Sequence, residues 1–441
     1  MVASGQGVQE RACDNKCMPT RRGFLIAASA ATGLGGSFRA EAGETGALPP
    51  AIAALGNRRA EAKPIGLAER ESRLERARGL MRENHLDAIA LVGGTSLDYF
   101  TGIRWWLSER LFACVLLQKG NPFYVCPAFE EDRAHEAMAD APAGRGSKIL
   151  TWQEDEDPFA LVARGLRDAG ISAGRLGVEE RVPFVFSDGI GKAARGIELP
   201  SATPVTAGCR MIKSAGELKL MQLANDVTLQ VYEAAWKSAH PGMTNVQLSE
   251  LIAAAYSRTG FEGEASCQVD AWSALPHGSS RPQTIREGSI VMFDDGCEVE
   301  GYQSDISRTF VVGKPTDKMK RVFDVVHRAQ AAAREAAKPG VECQAVDAAA
   351  RTVVDGAGFG PGYAHFTHRV GHGIGMDGHE WPYLVKGNTQ LLQANMTTSD
   401  EPGIYLRGEF GVRLEDDMYV TAEGAKWFTP QSNSLEEPFA R

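Results

Sequence analysis

Acidic residues inside otherwise apolar, strand-forming stretches constrain this chain more than any other feature. In SIVMFDDGCEVEGYQSDISRTF a strand reaches Asp294, turns between Gly296 and Gly301, and returns through Asp305. An antiparallel hairpin of that length brings the two carboxylates to the same end of a sheet. TTSDEPGIYL then places Glu401 ahead of a Pro-Gly turn, and GVRLEDDMYVT embeds Glu415 in an alternating, apolar strand. A carboxylate on the inward side of a strand needs a compensating positive charge, because leaving it buried and unpaired costs several kcal/mol. Arg308 and Arg413 are near in sequence but cannot neutralise four carboxylates, whereas two divalent cations can. FTHRVGHGIGMDGHEWP adds His368, His372 and His379 among glycines that let imidazoles approach a common point.

Composition narrows the partners. Lys and Arg number 47 against 56 Asp and Glu, a net charge of -9, and no basic stripe offsets it, so neither nucleic acid nor an anionic membrane surface is expected as a partner. The N-terminal segment TRRGFLIAASAATGLGG sets Arg21 and Arg22 before a mild apolar run, and Ala40-Glu41-Ala42 supplies a small-x-small cleavage pattern. This resembles a twin-arginine export signal, which implies a periplasmic or secreted protein with no membrane anchor once the signal is cleaved. Of the eight cysteines, Cys13 and Cys17 leave with residues 1–42, and the other six show no zinc-like spacing. Their disulfide pairing is left open; Cys114 and Cys126 suit buried strand positions.

Four segments follow. Residues 1–42 are the signal, and 43–63, a mixture of Gly, Pro, Ala and charge, read as a tether. Residues 64–203 form a smaller mixed α/β domain: a helical pattern from Leu67, a buried strand in DAIALVGG, and two strands in LFACVLLQKGNPFYVC. Residues 204–441 form a second domain in which Ser214-Ala-Gly-Glu makes a capping box before a helix. There Pro241-Gly242 and Gly260-Phe261 recur as Pro339-Gly340 and Gly358-Phe359, both offset by 98 positions, which predicts two α/β halves related by duplication.

The segments FDDGC, GYQSDISRTF, GHGIG, DEPGIY and GVRLED resemble the metal-ligand blocks of the pita-bread metallopeptidases, the M24 family of Xaa-Pro aminopeptidases, prolidases and methionine aminopeptidases. DYFTGI at Asp98 to Ile103 is similar to the creatinase-type N-terminal domain of the prolidase branch. The resemblance implies an α/β (α+β) pita-bread catalytic domain and a homodimer. It implies Asp294, Asp305, His372, Glu401 and Glu415 as ligands of two divalent cations, with Glu401 also handling the proton of a bridging hydroxide. The oxygen-rich shell favours Mn2+, with Co2+, Zn2+ or Fe2+ as alternatives. His277, His368 and His379 match catalytic histidines of the proline-specific branch, and His379 is the candidate donor to the developing oxyanion. Arg413 either meets the substrate carboxylate or holds Glu415, and Trp381 and Tyr383 are candidates to line the pocket for a proline ring in a peptide substrate.

Two other readings stand beside Xaa-Pro hydrolysis. One is a metal-dependent lyase similar to the pita-bread enzymes that cleave dimethylsulfoniopropionate, which Asp295 turned into the metal centre would favour. The other is a non-catalytic peptide-binding pita-bread module, expected to bind no metal.

Overall fold

The computed structural model describes residues 47–142 and 144–439; the candidate export signal lies outside them. The first folded element falls within the segment expected to be a tether. A short helix, α1 (Pro50–Ala53), buries Ile52 completely against the second domain, and Leu55 and Ile65 join the same core. Arg258 clamps this segment by donating to the carbonyls of Ala53 and Leu55, and the Arg58 amide donates to the Thr259 carbonyl. Three apolar residues spaced too widely to make a period were enough to dock it.

The first domain is built on a six-stranded sheet of order β4-β3-β2-β1-β5-β6, from β1 (Ala88–Val92), β2 (Ala113–Leu117), β3 (Phe123–Pro127), β4 (Lys148–Trp152), β5 (Gly174–Val178) and β6 (Ile197–Glu198). Strand β1 is apolar throughout because both faces are covered. Ile89 and Leu91 pack towards α2 (Leu67–Glu83) and α3 (Thr95–Thr101), with α4 (Glu131–Met138) in the same core; Ala88, Ala90 and Val92 pack towards α5 (Pro158–Asp168) and α6 (Phe184–Ala193). The boundary expected at 203/204 moves, because α7 (Thr203–Arg210) sends Val205 and Cys209 into this first core.

The second domain opens with the expected capping box: the Ser214 hydroxyl accepts from the Glu217 amide while the Glu217 carboxylate accepts from the Ser214 amide, starting α8 (Ala215–Trp236). Helix α9 (Asn245–Thr259) stops at Gly260 in the left-handed conformation. The small strand β7 (Glu262–Gly263) follows, and then β8 (Ser266–Val269), β9 (Ile290–Asp294), β10 (Cys297–Val299), β11 (Tyr302–Gln303) and β12 (Arg308–Val311). The long hairpin expected between the two aspartates is thus interrupted: β9 pairs with β12, while β10 and β11 form a smaller hairpin closed by Glu300 and Gly301, both at positive φ.

The second half repeats the plan with α10 (Asp317–Ala336) and α11 (Cys343–Val354), and Gly340 and Gly358 take positive φ as Gly242 and Gly260 do. Its five-stranded sheet runs β14 (Glu380–Leu384), β13 (Gly371–Gly373), β15 (Thr397–Asp400), β18 (Asp416–Val420), β19 (Ala425–Trp427), with a two-stranded ribbon of β16 (Gly403–Leu406) and β17 (Phe410–Arg413). Each half keeps its own apolar core, one centred on α8 and α9, the other on α10 and α11. This is the expected pita-bread arrangement of two α/β halves. The six described cysteines are all buried and free, and among the described residues no helix is long and apolar enough to cross a membrane.

Ile52→Ala tests the docked segment. Its fully buried side chain should be worth about 2 kcal/mol or more, read as a lower denaturation midpoint; a midpoint equal to that of the parent would mean that the segment contributes nothing to stability.

Candidate metal centre

The five candidate ligands come from strand ends where the two halves meet. Asp294 terminates β9 and Asp305 precedes β12; His372 lies on β13, Glu401 follows β15, and Glu415 falls between β17 and β18. Glu415 had been placed inside one continuous strand, but the strand breaks there. Its amide donates to the Ser307 carbonyl, a bridge that ties the two halves together directly beneath the carboxylates. His372 belongs to a strand rather than to a glycine loop, and the glycines beside it have another cause. A Cβ at Gly371 would fall 2.2 Å from the Ser399 carbonyl oxygen, and one at Gly373 would fall 2.1 Å from that of Trp381.

Ligand-capable atoms of Asp294, Asp305 and Glu415 lie within 4.8 Å of one another, as do those of His372, Glu401 and Glu415. Glu415 is common to both groups, and a third joins Asp305, His372 and His379. The His372 Nδ1–H faces the Gly373 carbonyl at 3.1 Å, which leaves Nε2 as the free lone pair, 3.3 Å from a Glu401 oxygen and 3.9 Å from one of Asp305. Burial and the charges of Asp294, Asp417 and Glu401 raise the Asp305 carboxyl well above the ordinary range. Burial and the same crowding from Asp305, Glu401 and Asp294 raise Glu415. Burial, opposed by Arg413 and reinforced by Asp294, pushes Glu401 up to about 7. Oxygen donors at ligand spacing that repel one another this strongly, with one oriented imidazole, fit divalent cations.

Arg413 is almost fully buried and already committed. It forms an ion pair with Asp294, donates through Nε to the Ser307 hydroxyl at 2.8 Å, and reaches the Pro276 carbonyl at 2.9 Å and the Tyr405 hydroxyl at 3.2 Å. Burial would raise Asp294, but the Arg413 charge and hydrogen bond and the Ser307 hydroxyl hold it below its usual value. The close ion pair of Arg413 is with Asp294, and the carboxylate it was expected to hold, Glu415, lies 3.7 Å from its Nε. Asp295 does not join any of the ligand groups: its Oδ2 accepts from the Ser266 amide at 3.0 Å.

The histidines line a cavity of about 400 Å3 above these ligands. Burial and Arg413 push the His368 imidazole down to about 3, so it is neutral. Its Nδ1–H donates to the Arg369 carbonyl at 2.8 Å, and its Nε2 accepts from the Tyr405 hydroxyl at 2.7 Å. The His379 ring stacks on His372 with centroids 3.7 Å apart, and its Nδ1 accepts from Arg369 at 3.1 Å. His277 is exposed and also lines the cavity. Trp381 and Tyr383 are not among the residues lining this cavity; they share the half-buried face of β14, Tyr383 lying under the guanidinium of Arg369, and the apolar walls are Pro276 and Val385.

A buried ion network fixes the β13–β14 hairpin, whose own pairing is irregular after His372. Glu380 sits between Arg210 and Lys213, and Asp377 takes Arg210 at 2.6 Å, Arg181 at 2.9 Å and the Thr95 hydroxyl at 2.7 Å. The first domain thereby grips the segment that carries His379. Ser307 was legible in principle, since two residues past Asp305 an alternating strand presents the same face. Tyr405 and Arg369 carried no such signal.

Comparison with known proteins agrees with this architecture. The profile of metallopeptidase family M24 matches residues 219–422, and that of the creatinase/prolidase N-terminal domain matches residues 73–212. The Xaa-Pro dipeptidase of Lactobacillus delbrueckii subsp. lactis is 30% identical over 375 residues, covering 82% of this chain and 98% of that protein. Among solved structures, dipeptidase PepE from Mycobacterium ulcerans superposes with a TM-score of 0.79 at 32% identity, over 85% of this chain and 99% of its own. A prolidase from Thermococcus sibiricus gives 0.73 at 28% identity, over 83% and 98%. The chain is a member of metallopeptidase family M24, with a creatinase-type N-terminal domain.

Proposed function

We propose that this enzyme hydrolyses Xaa-Pro peptide bonds at a dinuclear centre held by Asp294, Asp305, His372, Glu401 and Glu415. The observation that carries this is the pair of ligand-spaced groups sharing Glu415, one wholly from the second half of the domain and the other joining Glu415 to Asp294 and Asp305 of the first. Its relatives named Xaa-Pro dipeptidase and prolidase support the substrate. The oxygen-rich donors favour Mn2+. Two such ions would offset the carboxylate charge, acidify a water and polarise the scissile carbonyl.

The chain's own groups supply the remaining steps. Glu401, a carboxylate at the edge of the cavity beside the other candidate ligands, is the group placed to take and return a proton. Arginine has no acceptor, so His379 Nδ1 must be unprotonated where it meets Arg369; Nε2 carries the proton and serves as donor to the oxyanion. His368 uses both nitrogens internally and holds Tyr405 and the loop in place. Pro276 and Val385 offer the proline ring its apolar wall. The lyase alternative depended on Asp295 entering the centre, and its carboxylate is instead occupied by Ser266.

Glu401→Gln should lower kcat by at least about a hundredfold while metal analysis still finds bound cation; unchanged turnover would remove Glu401 from the proton-handling role. Cation binding should also be coupled to pH. In the cation-free fold Glu401 keeps its proton up to about 7, whereas the unfolded chain releases it near the ordinary 4.5. Stability of the cation-free protein should therefore fall as pH rises across that window, and Mn2+ affinity should rise over the same window as fewer protons must be expelled. Titration calorimetry of chelator-treated protein in buffers of different ionisation heat reads the proton release, and an affinity flat from pH 5 to 7 would contradict the assignment. The export route is part of the proposal: Arg21→Lys with Arg22→Lys should retain the protein in the cytoplasm, as fractionation would show, and normal export would count against it.

A further inference from the structure

One carboxylate of the cavity belongs to no candidate ligand group and has no counter-ion. Asp295 lines the cavity beside Asp294 but is absent from every ligand-spaced group. Ser266 meets one of its oxygens, Oδ2; among the described residues Oδ1 has no hydrogen-bond partner, and no cationic side chain forms an ion pair with either oxygen. Of the two arginines lining the cavity, Arg413 makes its close pair with Asp294, and Arg369 contacts His379 and Tyr383. A second acid is held against the same turn, because the Glu264 amide donates to the Gly296 carbonyl at 3.0 Å; Glu264 also has no ion pair among the described residues.

The backbone under this acid is strained and firmly held. Asp295 has φ 99°, on the side of conformational space that glycine enters freely and other residues rarely adopt. Its carbonyl accepts from the Ile306 amide and from the Tyr232 hydroxyl, each at 3.0 Å. A fixed, unpaired carboxylate in a cavity wall is met by whatever cation enters. Its exposure decides which cation that is: Asp295 is exposed, whereas Asp294, Asp305 and Glu401 are half-buried and Glu415 is buried, so Asp295 stands nearer the mouth than the ligands do. The α-ammonium of a peptide is fixed two bonds from the carbonyl carbon under attack and stays with the ligands. A lysine ammonium, carried on a flexible four-carbon stem, extends past them.

Resting on the hydrolysis proposed above, we propose that Asp295 selects substrates whose Xaa residue carries a cationic side chain, so that bonds after lysine or arginine are cleaved in preference to those after neutral or acidic residues.

The test compares Lys-Pro with norleucyl-Pro, which keeps the stem and lacks the ammonium, and Gln-Pro with Glu-Pro, in the Mn2+-loaded, full-length enzyme and in two variants. Asp295→Asn keeps an oxygen for the Ser266 amide and tolerates positive φ, so it removes little besides the charge. Asp295→Gly suits the backbone and removes the carboxylate altogether. The parent enzyme should show a kcat/KM for Lys-Pro at least about fivefold above that for norleucyl-Pro, the scale of one ion pair partly open to solvent, and should favour Gln-Pro over Glu-Pro. Added salt should narrow both ratios. Both should move towards one in either variant, whatever its absolute activity. A Lys-Pro preference that survives in the variants, or a parent ratio of one, would overturn the assignment and leave Asp295 as a turn residue. Failure of the parent to cleave any of the four peptides would instead overturn the proposed hydrolysis, so the two failures are distinguishable.

Discussion

Four carboxylates drawn into one crevice set the terms for everything around them. Two like charges 4 Å apart repel by about 4 kcal/mol at an effective dielectric of 20, and Asp294, Asp305, Glu401 and Glu415 make several such pairs. A domain whose whole stability is about 5–15 kcal/mol cannot hold them all ionised unaided. Arg413 compensates Asp294, while burial and mutual repulsion push Asp305, Glu401 and Glu415 towards their protonated forms in the cation-free fold. The Ser307 hydroxyl makes the same point locally. It lies 2.7 Å from both Asp294 and Glu415 with one proton to give, and it accepts from Arg413, so one of the two carboxylates must bring a proton of its own.

Duplication explains how such a site can be built on stable parts. Each half has its own helical pair and apolar core, so the strain of the crevice falls on strand ends and not on either core. The joint is polar and fully buried: Arg308 reaches Asp416 and the carbonyls of Ser307, Glu415 and Pro430. One guanidinium thus spans β12 and β18 immediately behind the ligands, and the backbone bridge from Glu415 to Ser307 sets their separation.

The candidate ligands stood out in sequence because acids in apolar strands are expensive wherever they occur, and the duplication because left-handed glycines must recur at both helix ends. The tether was misjudged because its anchoring, through Ile52, Leu55 and Arg258, depends on partners some 200 positions away. Trp381 and Tyr383 were expected in the pocket on their aromaticity; alternation along β14 does set them together, opposite the buried Glu380 and Leu384, but the Arg369 guanidinium lies over Tyr383 and it is Arg369 that lines the cavity. Within residues 366–382 the glycines were read as room for imidazoles to converge; Gly371 and Gly373 instead answer to backbone packed against them from β15 and β14, which no local pattern records.

That hairpin also gives the first domain a place in the chemistry. Its pairing is irregular just where His372 gives way to the loop that bears His379, so backbone hydrogen bonds alone do not fix the second histidine relative to the first. Side chains supply the missing constraint. Asp377 and Glu380 bracket His379 and are held by Thr95 and Arg181 from the first domain and by Arg210 and Lys213 from the segment joining the domains. Buried ion pairs contribute little net stability against an apolar alternative but are strict about geometry. A network of this kind beside His379 therefore acts chiefly on where that ring points, and the N-terminal domain bears on the cavity through charge while the lining itself comes from the second domain.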